Sequence, residues 1–194
     1  WYAYLVRYHT TTAMTPDEVH ELGLREVARI RAEMERVKSQ LGHGGDLRSF
    51  FDALRADPAL YYTDPAELVA GYRAIEARVD LAMPLLFART PKAGFEIRPV
   101  EAFRAASEAA GSYSPGSPDG KRPGVFYVNT YDLASRPKYA MEALYLHEAV
   151  PGHHLQGALA RELAGVPRFR LNFYPHAFGE GWGLYAEKLG EELG

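Results

Sequence analysis

The chain is predicted to be mainly α-helical, with a small β-hairpin or sheet just ahead of a histidine-rich helix. Two capping signals each open a long segment of helical apolar periodicity, strand-like alternation is confined to residues 94–131, and a cluster of three histidines and a glutamate follows it. Thr15-Pro16-Asp17-Glu18 is a capping box with proline at the first helical position. It starts a helix whose Val19, Leu22, Val27, Ile30, Met34, Val37 and Leu41 mark one apolar face. Gly42 to Gly45 ends it, and a shorter helix from about Leu47 to Arg55 follows. Asp64-Pro65-Ala66-Glu67 repeats the signal and opens a helix with Leu68, Val69, Tyr72, Ile75, Val79 and Leu86 on its buried side, kinked or shortened near Pro84.

From Gly94 the pattern changes. Phe95-Glu96-Ile97-Arg98 alternates like a strand, Val125 to Asn129 is a second strand candidate, and the Ser-, Pro- and Gly-rich stretch Ser112 to Gly124 reads as a long loop between them. Pro137 opens a helix running through Leu144 and Tyr145 into His147 and Glu148. Then come Gln156 to Leu163, a Gly165-Val166-Pro167 break, an aromatic and basic stretch from Arg168 to Tyr174, and a last helix from about Phe178. With no linker-like tract or internal repeat, residues 1–194 read as one domain. Within it lie N-terminal helices at 1–93, a β-hairpin region at 94–131 and site helices at 132–194. The chain starts on Trp1 and its last residues, Lys188 to Gly194, run on in an apparent helix, so it is expected to be a segment of a longer chain or a processed product.

Composition narrows the function by exclusion. A net charge of -3, from 22 basic and 25 acidic residues, leaves no basic footprint for nucleic acid. No run of about 18 apolar residues suggests a membrane span. With no cysteine, a bound metal must be held by His, Asp or Glu.

His147-Glu148-Ala149-Val150-Pro151-Gly152-His153-His154 is the H-E-x-x-H pattern of zinc peptidases with two residues inserted. In a regular helix His153 would sit roughly 120° around the cylinder from His147, and His154 about 10.5 Å along the axis. Neither could share a metal with His147 through bonds of about 2.1 Å. Pro151, however, lacks an N–H and its ring presses on the carbonyl of His147, so the helix must bulge or kink, and Gly152 supplies the backbone freedom for it. Such a bulge would return His153 to the position of the second ligand. His154 either replaces it there, reaches the substrate, or hydrogen-bonds groups around the ligands.

A catalytic zinc needs three protein ligands and a water. Glu180, in Gly179-Glu180-Gly181-Trp182, is the first candidate for the third ligand, with His176 and Glu187 as rivals. One zinc ion on His147, His153 and Glu180 leaves Glu148 free to take a proton from water as general base. His176 is otherwise a donor to a substrate carbonyl or oxyanion, a role open to Tyr131, Tyr174 and Tyr185 as well. For a peptide substrate, the edge of Tyr127-Val128-Asn129-Thr130 offers strand addition, with the Asn129 amide pairing to a substrate amide. The function expected is zinc-dependent hydrolysis of peptide bonds in short peptides. The competing readings are a non-catalytic helical module or inactive fragment with a structural or incidental histidine cluster, and hydrolysis of a non-peptide amide or ester.

Three segments carry a resemblance to a known family: Phe126 to Tyr131, Leu146 to Gln156, and Glu180-Gly181-Trp182 with Tyr185-Ala186-Glu187. Thr10-Thr11-Thr12 and Glu18 to Gly23 add to it. Together they resemble the bacterial family called domain of unknown function 885, over essentially the whole chain. The resemblance implies a zincin-like, gluzincin-type metallopeptidase fold, with His147, His153 and Glu180 at ligand positions and Glu148 as base. It also implies a longer protein, extending at both ends, whose further helices close the cleft.

Overall fold

In the computed structural model, the first strong local signal forms as its residues dictate. The Thr15 hydroxyl accepts from the Glu18 N–H at 3.2 Å while the Glu18 carboxylate accepts from the Thr15 N–H at 2.8 Å, closing the capping box. The structure describes residues 1–171 and 173–193; Asn172, inside the aromatic and basic stretch, and Gly194 lie outside the described residues. The backbone forms two compact units, Trp1–Leu60 and Tyr61–Gly194.

The first unit holds α1 (Tyr2–Thr10), α2 (Pro16–Gln40), α3 (Leu47–Ala56) and a short 3-10 turn at Pro58–Leu60. Helix α1 has no capping side chain to announce it, which is why the sequence pattern misses it. Asp46 caps α3 by accepting from the Ser49 N–H at 2.8 Å, and Lys38 Nζ ties the end of α2 to the following turn by donating to the Gly45 carbonyl at 2.6 Å. The apolar stripe of α2 is open: Leu22, Val27, Ile30, Met34 and Val37 are all exposed. Two shorter helices cannot cover a 25-residue one.

The second unit carries the core. Asp64 caps α4 (Pro65–Leu86), accepting from the Ala66 N–H at 2.8 Å, and Pro84 falls in the last turn of that helix. Leu68, Tyr72, Ile75, Val79 and Met83 recur at helical spacing, so one face of α4 packs onto the sheet and onto α5 (Met141–Glu148). Phe126 is the centre of that core: it is fully buried, with the ring edges of Tyr72 and Tyr145 at 5.2 and 6.1 Å between centroids. Burial pushes the phenol of Tyr72 up to about 12. Helices α6 (His153–Arg161), α7 (Arg168–Leu171) and α8 (His176–Leu193) complete the unit. Among the described residues no helix is long and apolar enough to cross a membrane.

The sheet corrects two expectations. Strands β1 (Phe95–Pro99), β2 (Gly111–Ser114) and β3 (Gly124–Val128) lie in the order β1-β3-β2. Strands β1 and β3 run parallel, with Ile97 opposite Phe126, so they are not the two arms of a hairpin. The beginning of the expected loop, Ser112 to Ser114, instead pairs antiparallel with β3, placing Tyr113 opposite Phe126. A four-residue Gly-Ser-Tyr-Ser segment has too little apolar alternation to read as a strand; only its partner's edge reveals it. Strand β3 is therefore central and hydrogen-bonded on both sides. The segment beginning at Tyr127 and Val128 cannot take a peptide by strand addition, and Tyr127 is half-buried beneath the guanidinium of Arg104.

Asn129 is corrected as well. Its side chain is wholly buried, donating to the carbonyls of Ala105 (2.7 Å) and Glu108 (3.0 Å) and accepting from the Tyr131 N–H (2.9 Å), so no amide remains for a substrate. It fastens the segment between β1 and β2 to the end of β3. Replacing it by alanine strands two carbonyls and one N–H, and Asn129→Ala is expected to cost about 2–4 kcal/mol in urea unfolding. A loss below about 0.5 kcal/mol would contradict that role.

Candidate metal centre

Helix α5 ends at Glu148 and α6 begins at His153, so the expected bulge is a full interruption between two helices. The last α5-type bond runs from the Ala149 N–H to the Tyr145 carbonyl at 2.8 Å, and the first link across the break runs from the His154 N–H to the Ala149 carbonyl at 3.1 Å. The Val150–Pro151 peptide between them is cis. The return is tight: a Cβ on Gly152 would lie 1.9 Å from the carbonyl oxygen of His147 and 2.3 Å from that of Leu146. Only glycine fits, and the fold brings the start of α6 directly over the end of α5. Helix α8 clasps this turn. The Trp182 indole N–H donates to the Pro151 carbonyl at 2.7 Å, and the Gln156 amide donates to the Phe178 carbonyl at 2.7 Å.

These contacts bring together His147, His153 and Glu180, whose ligand atoms all lie within 4.8 Å of one another. His147 Nε2 stands 3.3 Å from Glu180 Oε2, and His153 Nε2 stands 3.7 Å from Glu180 Oε1. The two imidazole rings meet edge-on, 4.6 Å apart at 88°. Two ligands on one tetrahedral zinc with bonds near 2.1 Å would be about 3.4 Å apart, so this donor set fits a zinc ion with little movement. His147 Nδ1 donates to Glu187 Oε1 at 2.8 Å, which holds the ring in the tautomer that leaves Nε2 to accept. His153 Nδ1 faces the Tyr174 hydroxyl at 3.3 Å. Burial, reinforced by neighbouring His147 and opposed by Glu180, holds His153 below the ordinary imidazole range, favouring the neutral form that a metal requires.

Glu148 follows His147 at the end of α5 and is half-buried. Burial raises its carboxyl above the ordinary range; His147 and the Tyr113 backbone amide pull it down and Glu180 pushes it up. Its neighbours are thus two of the three clustered residues and the edge strand β2. Tyr174 belongs to the same neighbourhood. Its phenol is raised by burial, with Glu180 and Glu148 adding to the shift, and so stays protonated.

The other candidates are not brought to the cluster as ligands. His154 is 3% exposed, sits against the Phe95 ring and shares a 2.8 Å hydrogen bond between its Nδ1 and the Tyr113 hydroxyl. Burial pulls it down to about 4. It therefore packs the motif onto the sheet and is neither a ligand nor a substrate contact. His176 is exposed at the first position of α8. Tyr185 is exposed and its ring meets that of Trp182 at a tilt of 52°, 5.6 Å between centroids; at about 100° per residue it projects roughly 140° around α8 from Glu180, away from the cluster.

Glu187, a rival third ligand in the sequence, holds His147 from behind. The available signal is its seven-residue separation from Glu180, two turns on one helix face, with Gly183 between them. Gly183 is the other residue whose role the pattern hides. A Cβ there would fall 2.5 Å from His147 Cε1 and 2.7 Å from Nε2, so the imidazole lies flat against the α8 backbone.

Comparison with known proteins gives the chain a family. The model of the family described as "Bacterial protein of unknown function (DUF885)" matches residues 1–194, and the chain belongs to that family. It is also similar to the crystal structure of the "putative lipoprotein from Colwellia psychrerythraea", with a TM-score of 0.93 and 31% identity. That match covers 100% of this chain and 34% of the other, so the chain spans about a third of its length. No curated protein matches.

The close seat of His147 gives a test that needs no activity. Gly183→Ala is expected to displace the imidazole and cost about 1–3 kcal/mol by overpacking in chemical denaturation of the metal-free protein. Gly181→Ala, whose Cβ would meet nothing within 4 Å, should cost nothing measurable. Equal effects of the two would contradict the close approach.

Proposed function

We propose that this chain carries the catalytic centre of a zinc-dependent hydrolase acting on peptide bonds in short peptides, on a zincin-like framework of the gluzincin type. The observation that carries this reading is the convergence of the three ligand atoms of His147, His153 and Glu180 with Glu187 bonded to the far nitrogen of His147. Among the described residues that set has three members, one short of the four that a closed structural site uses. A zinc ion held there would polarise a carbonyl and lower the pKa of water towards 7.

The chain's own groups then divide the work. Glu148, its carboxylate next in sequence to one ligand and near another, takes a proton from the water that adds to the scissile carbonyl. It returns that proton to the amine nitrogen as the carbon–nitrogen bond breaks. The protonated Tyr174 hydroxyl beside His153 is the phenol best placed to donate to the developing oxyanion. The peptide backbone lies along β2, the sheet edge on the Glu148 side, in place of the Tyr127–Thr130 edge expected from sequence.

Two variants test this assignment. Glu148→Gln is expected to keep its metal content by elemental analysis while turnover of a short peptide falls about 10²–10⁴-fold; unchanged turnover would sink the proposed base. Glu187→Gln is expected to weaken zinc affinity about 10–100-fold in competition with a chromogenic chelator. An unaltered affinity there would remove Glu187 from its orienting role.

A further inference from the structure

A cavity of about 840 Å³ opens beside the cluster, with His153 and Glu180 in its wall, well within the size range of pockets that take drug-sized ligands. One side is a single face of α6: His153, Gly157, Ala160 and Arg161 all line it, at the spacing of neighbours along one helical stripe. Gly157 and Ala160 keep that floor low, so the groove runs without obstruction from the metal ligand to Arg161. Eight residues of helix separate the two ends by about 12 Å.

The rest of the lining is largely aromatic and aliphatic, including Leu171, Phe173 and Phe178, and contributes a second cation, Arg170. Neither arginine has a carboxylate partner among the described residues; Arg161 makes only a long 3.4 Å contact to the Gly116 carbonyl. The one carboxylate in the wall is Glu180, which belongs to the metal cluster. The cavity is therefore apolar with two uncommitted guanidinium groups, the environment of a ligand that is apolar in body and anionic at one end.

We propose that this cavity binds the C-terminal residues of the peptide substrate, Arg161 and Arg170 pairing with the free α-carboxylate and the aromatic wall taking a large apolar C-terminal side chain. This rests on the peptidase reading above and makes the enzyme one directed to peptide C-termini. An extended peptide advances about 3.3–3.6 Å per residue. With the long arginine side chains reaching back along the groove, one or two residues fit between a carbonyl at His153 and a carboxylate at the arginines. The bond cleaved is then the last or the penultimate peptide bond. Water is consumed, a new carboxylate is left on the shortened peptide, and a free amine appears on the residue or dipeptide released.

The test separates this inference from the peptidase reading by measuring binding without turnover. The zinc-loaded, intact protein carrying Glu148→Gln is titrated calorimetrically with N-acetyl-Ala-Phe as the free acid and as its C-terminal amide. The free acid is expected to bind at least tenfold more tightly, and that preference should collapse to within about twofold in Arg161→Gln and Arg170→Gln backgrounds while the amide's affinity stays unchanged. Equal binding of acid and amide, or a preference that survives both arginine substitutions, would overturn the C-terminal assignment. Wild-type turnover of both peptides would then leave the peptidase reading standing. If instead the acid preference holds and wild type hydrolyses neither peptide, the carboxylate site survives and the peptidase reading fails.

Discussion

Gly152 stands where a methyl group would meet the carbonyl oxygens of both His147 and Leu146, and the rest of the candidate site depends on that close return. Because the chain crosses over the end of α5 there, α6 begins above the helix it follows, and His153 faces His147 in spite of a spacing that no regular helix could use. The break leaves backbone groups that need partners. The Trp182 indole takes the Pro151 carbonyl, so the interruption that creates the site also recruits α8, the helix that brings the third clustered residue.

Helix α8 joins geometry to electrostatics. Its glycine at 183 lets the His147 ring lie against the backbone, and one turn to either side Glu180 and Glu187 address the two ring nitrogens. A single imidazole thereby has a carboxylate from one rigid element facing each of its ring nitrogens. Beside it, burial holds His153 below its ordinary range and Glu148 above it. Those opposite displacements favour a neutral imidazole and a carboxyl that can carry a proton, the division of labour that the proposed hydrolysis asks of these residues.

The parts of this arrangement that were legible in sequence are local. Thr15 and Asp64 announce their helices because a cap is satisfied within a few residues of itself, and the residues of α4 recur with the period of the face they bury. The Pro151-Gly152 pair signalled a distortion because proline's missing N–H is a property of one residue. Strand β2 and the burial of Asn129 were not legible. Ser112 to Ser114 become a strand only when β3 presents an edge, and an asparagine's amide looks equally suited to a substrate or to two backbone carbonyls until the fold supplies the carbonyls. The open stripe of α2 teaches the same lesson in reverse, since periodicity shows which face is apolar and says nothing of what covers it.

By itself, then, the sequence determined the mainly helical class, the helix starts, the family and the residue types that could share a metal. It also dictated that the helix carrying them must bulge or kink, since proline and the residue count forbid a regular one. Only the tertiary structure decided between His153 and His154, turning one ring towards Glu180 and sealing the other against Tyr113 and Phe95. It also set Glu187, a rival ligand in the sequence, at the back of His147. The physical reason is range: capping and helical periodicity act within a turn or two of chain, whereas the direction of a side chain after a broken helix is set by whatever distant segment packs against it.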